Sequence, residues 1–152
     1  MRKKNRKFDM SLRINFTEPV LTINRVAFGQ GDRFVYVICA EKKLRYPWGK
    51  SRIGYIGTTK RGARRIASSA VWKGEHLLLG YGIKHLNVRI IRCRGRRAVE
   101  TWRKLERALL LKFRERYGKI PLANKAGGRM SWDDEHKYFK SSRLEDILRQ
   151  LS

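Results

Sequence analysis

The run Phe34-Val35-Tyr36-Val37-Ile38-Cys39-Ala40 constrains the fold of this chain more than any other stretch. It is β-branched and aromatic without polar alternation, the pattern of a strand buried on both faces. A second run, Ile53-Gly54-Tyr55-Ile56-Gly57, reads as a short strand ended by Gly57. Pro47, Gly49 and Lys50 lie between the two and suit a loop rather than a continuing ladder. Thr58 and Thr59 then read as caps for a short helix that carries Arg65. Such a hairpin and helix would bring Tyr36, Tyr55 and Arg65 near one edge, and two phenols with a guanidinium suit phosphate chemistry.

At 152 residues the chain is long enough to bury a core without disulfides or metal. The hydrophobic share of 41% argues against global disorder. Charge is the outlier: 37 Lys and Arg face 13 Asp and Glu, a net +24. An excess of that size repels itself unless a polyanion neutralises it, so nucleic acid is the expected partner. Charge alone does not separate an enzyme from a binder or from a basic protein of the ribosomal type. Cys39 and Cys93 sit in apolar, strand-like surroundings and read as buried free thiols in a reducing cytoplasm. No CxxC spacing or Cys/His cluster points to zinc. No apolar run approaches the ~18 residues of a membrane span, and no apolar stretch of signal-peptide type follows the basic start.

Residues 1–31 read as a basic arm and an N-terminal extension, with weak alternation at Leu12, Ile14 and Phe16 and a second strand from Val20 to Val26. The segment 41–51 interleaves Lys43, Arg45, Trp48 and Lys50, which suits a nucleic-acid contact because rings stack on bases and cations meet phosphates. The other reading of this segment packs Tyr46 and Trp48 back onto the body. A helix is expected from Gly62 to about Trp72, and a third core strand from Asn87 to Cys93. Arg94, Arg96 and Arg97 make the exit of that strand strongly positive.

The longest helix is expected from about Ala98 to Tyr117, with Gly118 as its C-cap and Pro121 beyond. Trp102, Leu105, Leu109, Leu110 and Phe113 form its apolar arc, and Glu106 falls inside that arc. An acid on a buried helix face needs a partner. Two readings stay open for Glu106: a buried salt bridge to an arginine, or a metal ligand at the floor of a cleft. Asn124 reads as a turn residue. Over 127–152, Ser142-x-x-Glu145 reads as a capping box for a final helix with Leu144, Ile147, Leu148 and Leu151 as its apolar face.

Taken together, these residues resemble the GIY-YIG nuclease family over roughly residues 33–125. The first motif is matched by Phe34-Val35-Tyr36, with Phe34 where the family has glycine, and the second is intact as Tyr55-Ile56-Gly57. Arg65 matches the helix arginine, with Arg64 as a fallback, Glu106 the metal-binding glutamate, and Asn124 the late asparagine after Pro121. Ser69 stands where many members carry His or Tyr, which makes Tyr36 the expected general base, with Lys73 or His76 as the alternative substitutes.

The resemblance implies an α+β fold, with a small antiparallel sheet of about three core strands flanked by helices. It would span 32–126, with the C-terminal tail helix packed on it. It further implies hydrolysis of phosphodiester bonds in DNA, with one Mg2+ or Mn2+ ion on Glu106. Tyr36 would deprotonate water, Tyr55 would position it, Arg65 would neutralise the phosphate and Asn124 would orient the site. Contacts to the polymer would come from Lys43, Arg45, Trp48, Lys50, Lys60, Arg61, Arg64, Lys73, Arg94, Arg96, Arg97 and Lys125. RNA is the other polymer this reading admits, and pairing of two copies is the route to double-strand cleavage. A restriction-like or phage- or mobile-element-associated nuclease, or a non-specific one, of the cytoplasm or nucleoid suits such an enzyme. The alternative is a basic nucleic-acid binder that keeps the fold without turnover.

Overall fold

The computed structural model describes residues 12–15, 20–23, 33–59, 80–83, 85–91, 93, 95–125 and 130–152. Strands β1 (Leu12–Asn15) and β2 (Val20–Ile23) pair antiparallel, with Leu12 opposite Ile23. The main sheet has three antiparallel strands in the order β4-β3-β5: β3 is Phe34–Tyr46, β4 is Gly49–Thr59 and β5 is Leu86–Ile91. Helices α1 (Thr101–Tyr117), α2 (Glu135–Tyr138) and α3 (Ser141–Leu151) complete the described elements. The fold is therefore α+β, built on a small antiparallel sheet, as the sequence predicts.

Three local expectations are corrected. The segment 41–51 is not an open loop: β3 continues to Tyr46, and β4 starts at Gly49 directly opposite it. Leu44 and Tyr46 are buried while Lys43 and Arg45 are exposed, so the period of two persists through the basic residues. Pro47 sits at the turn, where its missing N–H interrupts no ladder bond. Second, Thr58 and Thr59 do not cap a helix; they extend β4, with Thr58 opposite Val35 and Thr59 opposite Phe34. Both are β-branched, which favours the strand. Third, Ser142 and Glu145 lie inside α3, whose N-cap is Lys140 with no side-chain cap bond. Leu144 and Leu148 are buried on the expected face of that helix.

Register decides which residues share a face. Tyr36 pairs with Gly57 and Ile38 with Tyr55, so Phe34, Tyr36, Ile38, Tyr55, Gly57 and Thr59 point one way. Val35, Val37, Cys39, Ile56 and Thr58 point the other way, toward α1 and α3. Two contacts fix that side: the Thr58 hydroxyl meets Glu106 of α1, and the Cys39 thiol meets the Leu151 carbonyl of α3 at 3.6 Å. Burial pushes the Cys39 thiol up to about 12, so it packs as an inert, neutral group.

Between Cys39 and Leu44 the ladder shifts register, and β3 carries extra residues there. Such a bulge bends the strand and turns its surplus side chains outward; Lys42 and Lys43 are exposed at this point. Helix α1 ends as expected: Gly118 adopts φ +82°, and its N–H donates to the Arg114 carbonyl at 2.8 Å. Trp102, Leu105, Leu109, Leu110 and Phe113 are all buried, as the arc requires. Tyr46 locks the hairpin to this helix. Its ring meets Phe113 edge-on at 5.0 Å, its hydroxyl donates to the Ile53 carbonyl at 2.5 Å, and it accepts the Leu122 N–H at 3.2 Å. Of the two rings in the basic segment, Tyr46 thus packs inward and Trp48 does not.

Candidate active site and nucleic-acid surface

The described candidate residues lie along positions 54–58 of β4 but on different sides of it: Tyr36 and Tyr55 on one face of the sheet, Glu106 on the other, and Asn124 at the outer edge. Tyr36 and Tyr55 face each other with ring centroids 5.7 Å apart. Gly57 explains how Tyr55 fits: a Cβ there would lie 2.6 Å from the Tyr55 ring and 2.8 Å from its hydroxyl. The phenol therefore lies back over bare backbone, a close approach that glycine alone leaves open. Tyr36 is only 2% exposed, whereas Tyr55 is half-buried.

Asn124 sits on the outer edge of the same strand. Its Oδ1 accepts the Ile56 N–H at 3.0 Å, and its Nδ2 donates to the Ile56 carbonyl at 2.8 Å. The Ala123 N–H also donates to the Gly54 carbonyl at 2.9 Å. The segment after Pro121 thus completes an edge that would otherwise present unpaired backbone groups. Asn124 orients β4; its amide is already engaged on both sides.

Glu106 approaches from α1. Its Oε2 accepts the Thr58 hydroxyl at 3.2 Å, and no cation pairs with the carboxylate among the described residues. Burial raises the Glu106 pKa above the ordinary carboxylate range, offset in part by the Thr58 hydrogen bond and by Arg103. One helical turn earlier the Trp102 ring is buried, with an Nε1–H that has no hydrogen-bond partner among the described residues. The Arg33 guanidinium lies 5.0 Å from the centroid of that ring.

Thr58 is the hydrogen-bond partner of Glu106 that sequence reasoning missed. Continuing the β-branched alternation past Gly57 would have placed Thr58 in the strand.

Glu106 is the candidate residue that could hold a hard cation. Such ions on phosphate substrates take one or two carboxylates, with water and phosphate oxygens filling the other positions. Glu106 offers one half-buried carboxylate whose Oε1 has no partner among the described residues. No group of three or more His, Cys, Asp or Glu side chains gathers as a metal cage among those residues. The salt-bridge reading of Glu106 finds no support there either.

The residues expected to contact a polymer fall into separate groups. Lys43, Arg45, Trp48 and Lys50 are exposed at the hairpin tip. Arg96 and Arg97 are exposed before α1, with Arg96 over the Tyr138 ring at 5.4 Å, and Lys125 is exposed beside Asn124. Arg65, Arg64, Lys60, Arg61, Lys73, His76, Arg94, Ser69 and the expected helix from Gly62 lie outside the described residues. Comparison of the chain with protein-family models, curated proteins and solved structures finds no match.

Proposed function

We propose that this chain is a metal-dependent endonuclease that hydrolyses phosphodiester bonds in DNA. The observation that carries the reading is the setting of Gly57. The Tyr55 phenol lies over its bare backbone on one face of the sheet, and next along the strand Thr58 holds the Glu106 carboxylate on the other. Glu106 would hold one Mg2+ or Mn2+ ion, and the bound ion would supply charge stabilisation at the leaving oxygen.

The chain's own residues do the rest. Thr58 fixes one carboxylate oxygen. Asn124 fixes the strand that carries Tyr55 and Thr58. Of the two phenols, Tyr55 has the solvent access that contact with a water requires, while Tyr36 backs its ring. That favours Tyr55 over Tyr36 for the proton-handling role. Arg65 would meet the scissile phosphate. The test is Mg2+-dependent nicking of supercoiled plasmid. Glu106→Ala should lower the nicking rate by about 100-fold or more, the scale of losing a charge-stabilising group, while DNA binding stays within about twofold. Equal activity in wild type and variant would remove the catalytic claim.

A second reading, a nucleic-acid binder without turnover, is favoured by one observation. The register sets Tyr36 and Tyr55 on the face opposite Thr58 and Glu106, so the two halves meet only around Gly57 at the strand edge. It predicts strongly salt-dependent binding with no metal-dependent product.

A further inference from the structure

We infer that the tip of the β3–β4 hairpin is a stacking platform for an unpaired DNA base, so that the protein prefers single-stranded or opened DNA over closed duplex. This deepens the nucleic-acid reading above and rests on it, but not on catalysis. The central residue is Trp48, which is 70% exposed, although indole is among the side chains that gain most from burial.

The ring is nonetheless held in place. A Cβ on Gly118 would lie 2.9 and 3.0 Å from Cδ2 and Cε2, the two fusion atoms of the indole, and 3.0 Å from the Pro47 Cβ. Approach to both fusion atoms together means that the ring lies face-on over Gly118, at the left-handed end of α1. The Trp48 N–H also donates to the Tyr117 carbonyl at 3.2 Å, which ties the turn to the same helix end. One face of the indole is seated on backbone, and the large exposure places the other face in water. A seated ring with one free face has little freedom left to lose on binding.

The surroundings identify what the free face receives. Arg45 and Lys50 are direct cross-strand partners. Like charges opposite each other on a ladder are destabilising, and Lys42, Lys43 and Arg52 are exposed in the same hairpin. From Lys42 to Arg52 there is no acid. This concentration of cations suits a polyanion threading past the ring. A base inside a duplex already has both faces covered by its neighbours, whereas an unpaired base offers a free π-face. An indole face flanked by cations therefore fits a single strand, with phosphates on Arg45 and Lys50 and a base on Trp48.

The experiment is fluorescence anisotropy in EDTA with two labelled probes: a short oligothymidylate, and a blunt-ended duplex closed by G·C pairs at both ends. Trp48→Ala should weaken oligothymidylate binding by about 10-fold or more, in line with the loss of one base–aromatic stack. It should weaken closed-duplex binding by about twofold or less. Trp48→Phe, which keeps a ring, should retain oligothymidylate binding within about threefold and guards against a folding defect in the alanine variant. Equal weakening of both probes by Trp48→Ala, or of neither, overturns the platform. If the wild type binds neither probe, the nucleic-acid reading itself fails; if it binds both and Trp48 is silent, only this inference does.

Discussion

At its base the β3–β4 hairpin is closed: Phe34, Tyr36, Ile38 and Ile56 are buried, and Asn124 seals the outer edge of β4. At its tip the same two strands hold Trp48 out in water between Arg45 and Lys50. From Gly57 to Gly49 the distance is roughly 25 Å at about 3.3 Å per residue. One ladder thus carries two environments. The base has a low dielectric, where a single carboxylate and a phenol interact strongly with charge. The tip is solvated, and there cations attract a polyanion over a distance that salt controls. On the proposed reading the tip would grip a strand and the base would act on it, and this separation allows both. The bulge between Cys39 and Leu44 divides the two environments.

The largest effect expected at the base comes from Gly57→Ala. The added Cβ meets the Tyr55 ring at 2.6 Å, so the phenol must swing away and lose its contact with Tyr36. Overpacking of this kind costs about 1–3 kcal/mol. Thermal unfolding should register the loss, and plasmid nicking should fall with it, while oligothymidylate binding at the tip should hold within about twofold. A Gly57→Ala protein with unchanged Tm and nicking would show that the position of the Tyr55 ring matters to neither.

Apart from Thr58 and Thr59, whose hydroxyls suit a helix cap as well as a strand, the base was legible in the sequence because its signal is hydrophobic. Phe34 to Ala40 can only be a buried strand, and the arc from Trp102 to Phe113 can only be a helix packed on it. Glu106 stood out because it interrupts that arc. The tip was misread because its strands are basic and contain Pro47 and Gly49, residues that composition assigns to loops. The alternation of Leu44 and Tyr46 against Lys43 and Arg45 was present but was masked by charge. The pairing of Asn124 with the Ile56 backbone was not legible at all, since an edge bond across such a sequence distance leaves no local pattern.

Glu106 gives a smaller effect and a sharper test of the base. Its pKa is raised by burial, so the folded protein holds the proton more tightly than the unfolded chain does. Stability attributable to this group is therefore greatest at low pH and is lost as pH rises through its folded pKa. Glu106→Gln keeps an acceptor for Thr58 and removes the charge. It should raise Tm at neutral pH by roughly 1–4 °C, and the gain should shrink toward zero below the ordinary carboxylate value of 4.5. The same variant should lack nicking activity. A variant less stable than wild type at neutral pH would mean that the carboxylate has a stabilising partner, as the salt-bridge reading holds.

The smallest stability change is expected at the tip, with a sign opposite to its effect on binding. Arg45→Glu turns the like-charged pair with Lys50 into an opposite-charged one. Cross-strand pairs of that kind contribute roughly 0.2–1 kcal/mol, so the variant should melt slightly higher than wild type. Its affinity for DNA should fall nonetheless, and the slope of log K against log salt should flatten by about 1 as a phosphate contact disappears. Cations set against each other for a polyanion should show this inverse relation, because the repulsion that weakens the free hairpin is the feature that the bound strand relieves. Cations that merely keep the surface soluble should show the stability gain with no change in slope. The Arg45–Lys50 pair therefore separates the two meanings of the +24 charge at a single rung of the ladder.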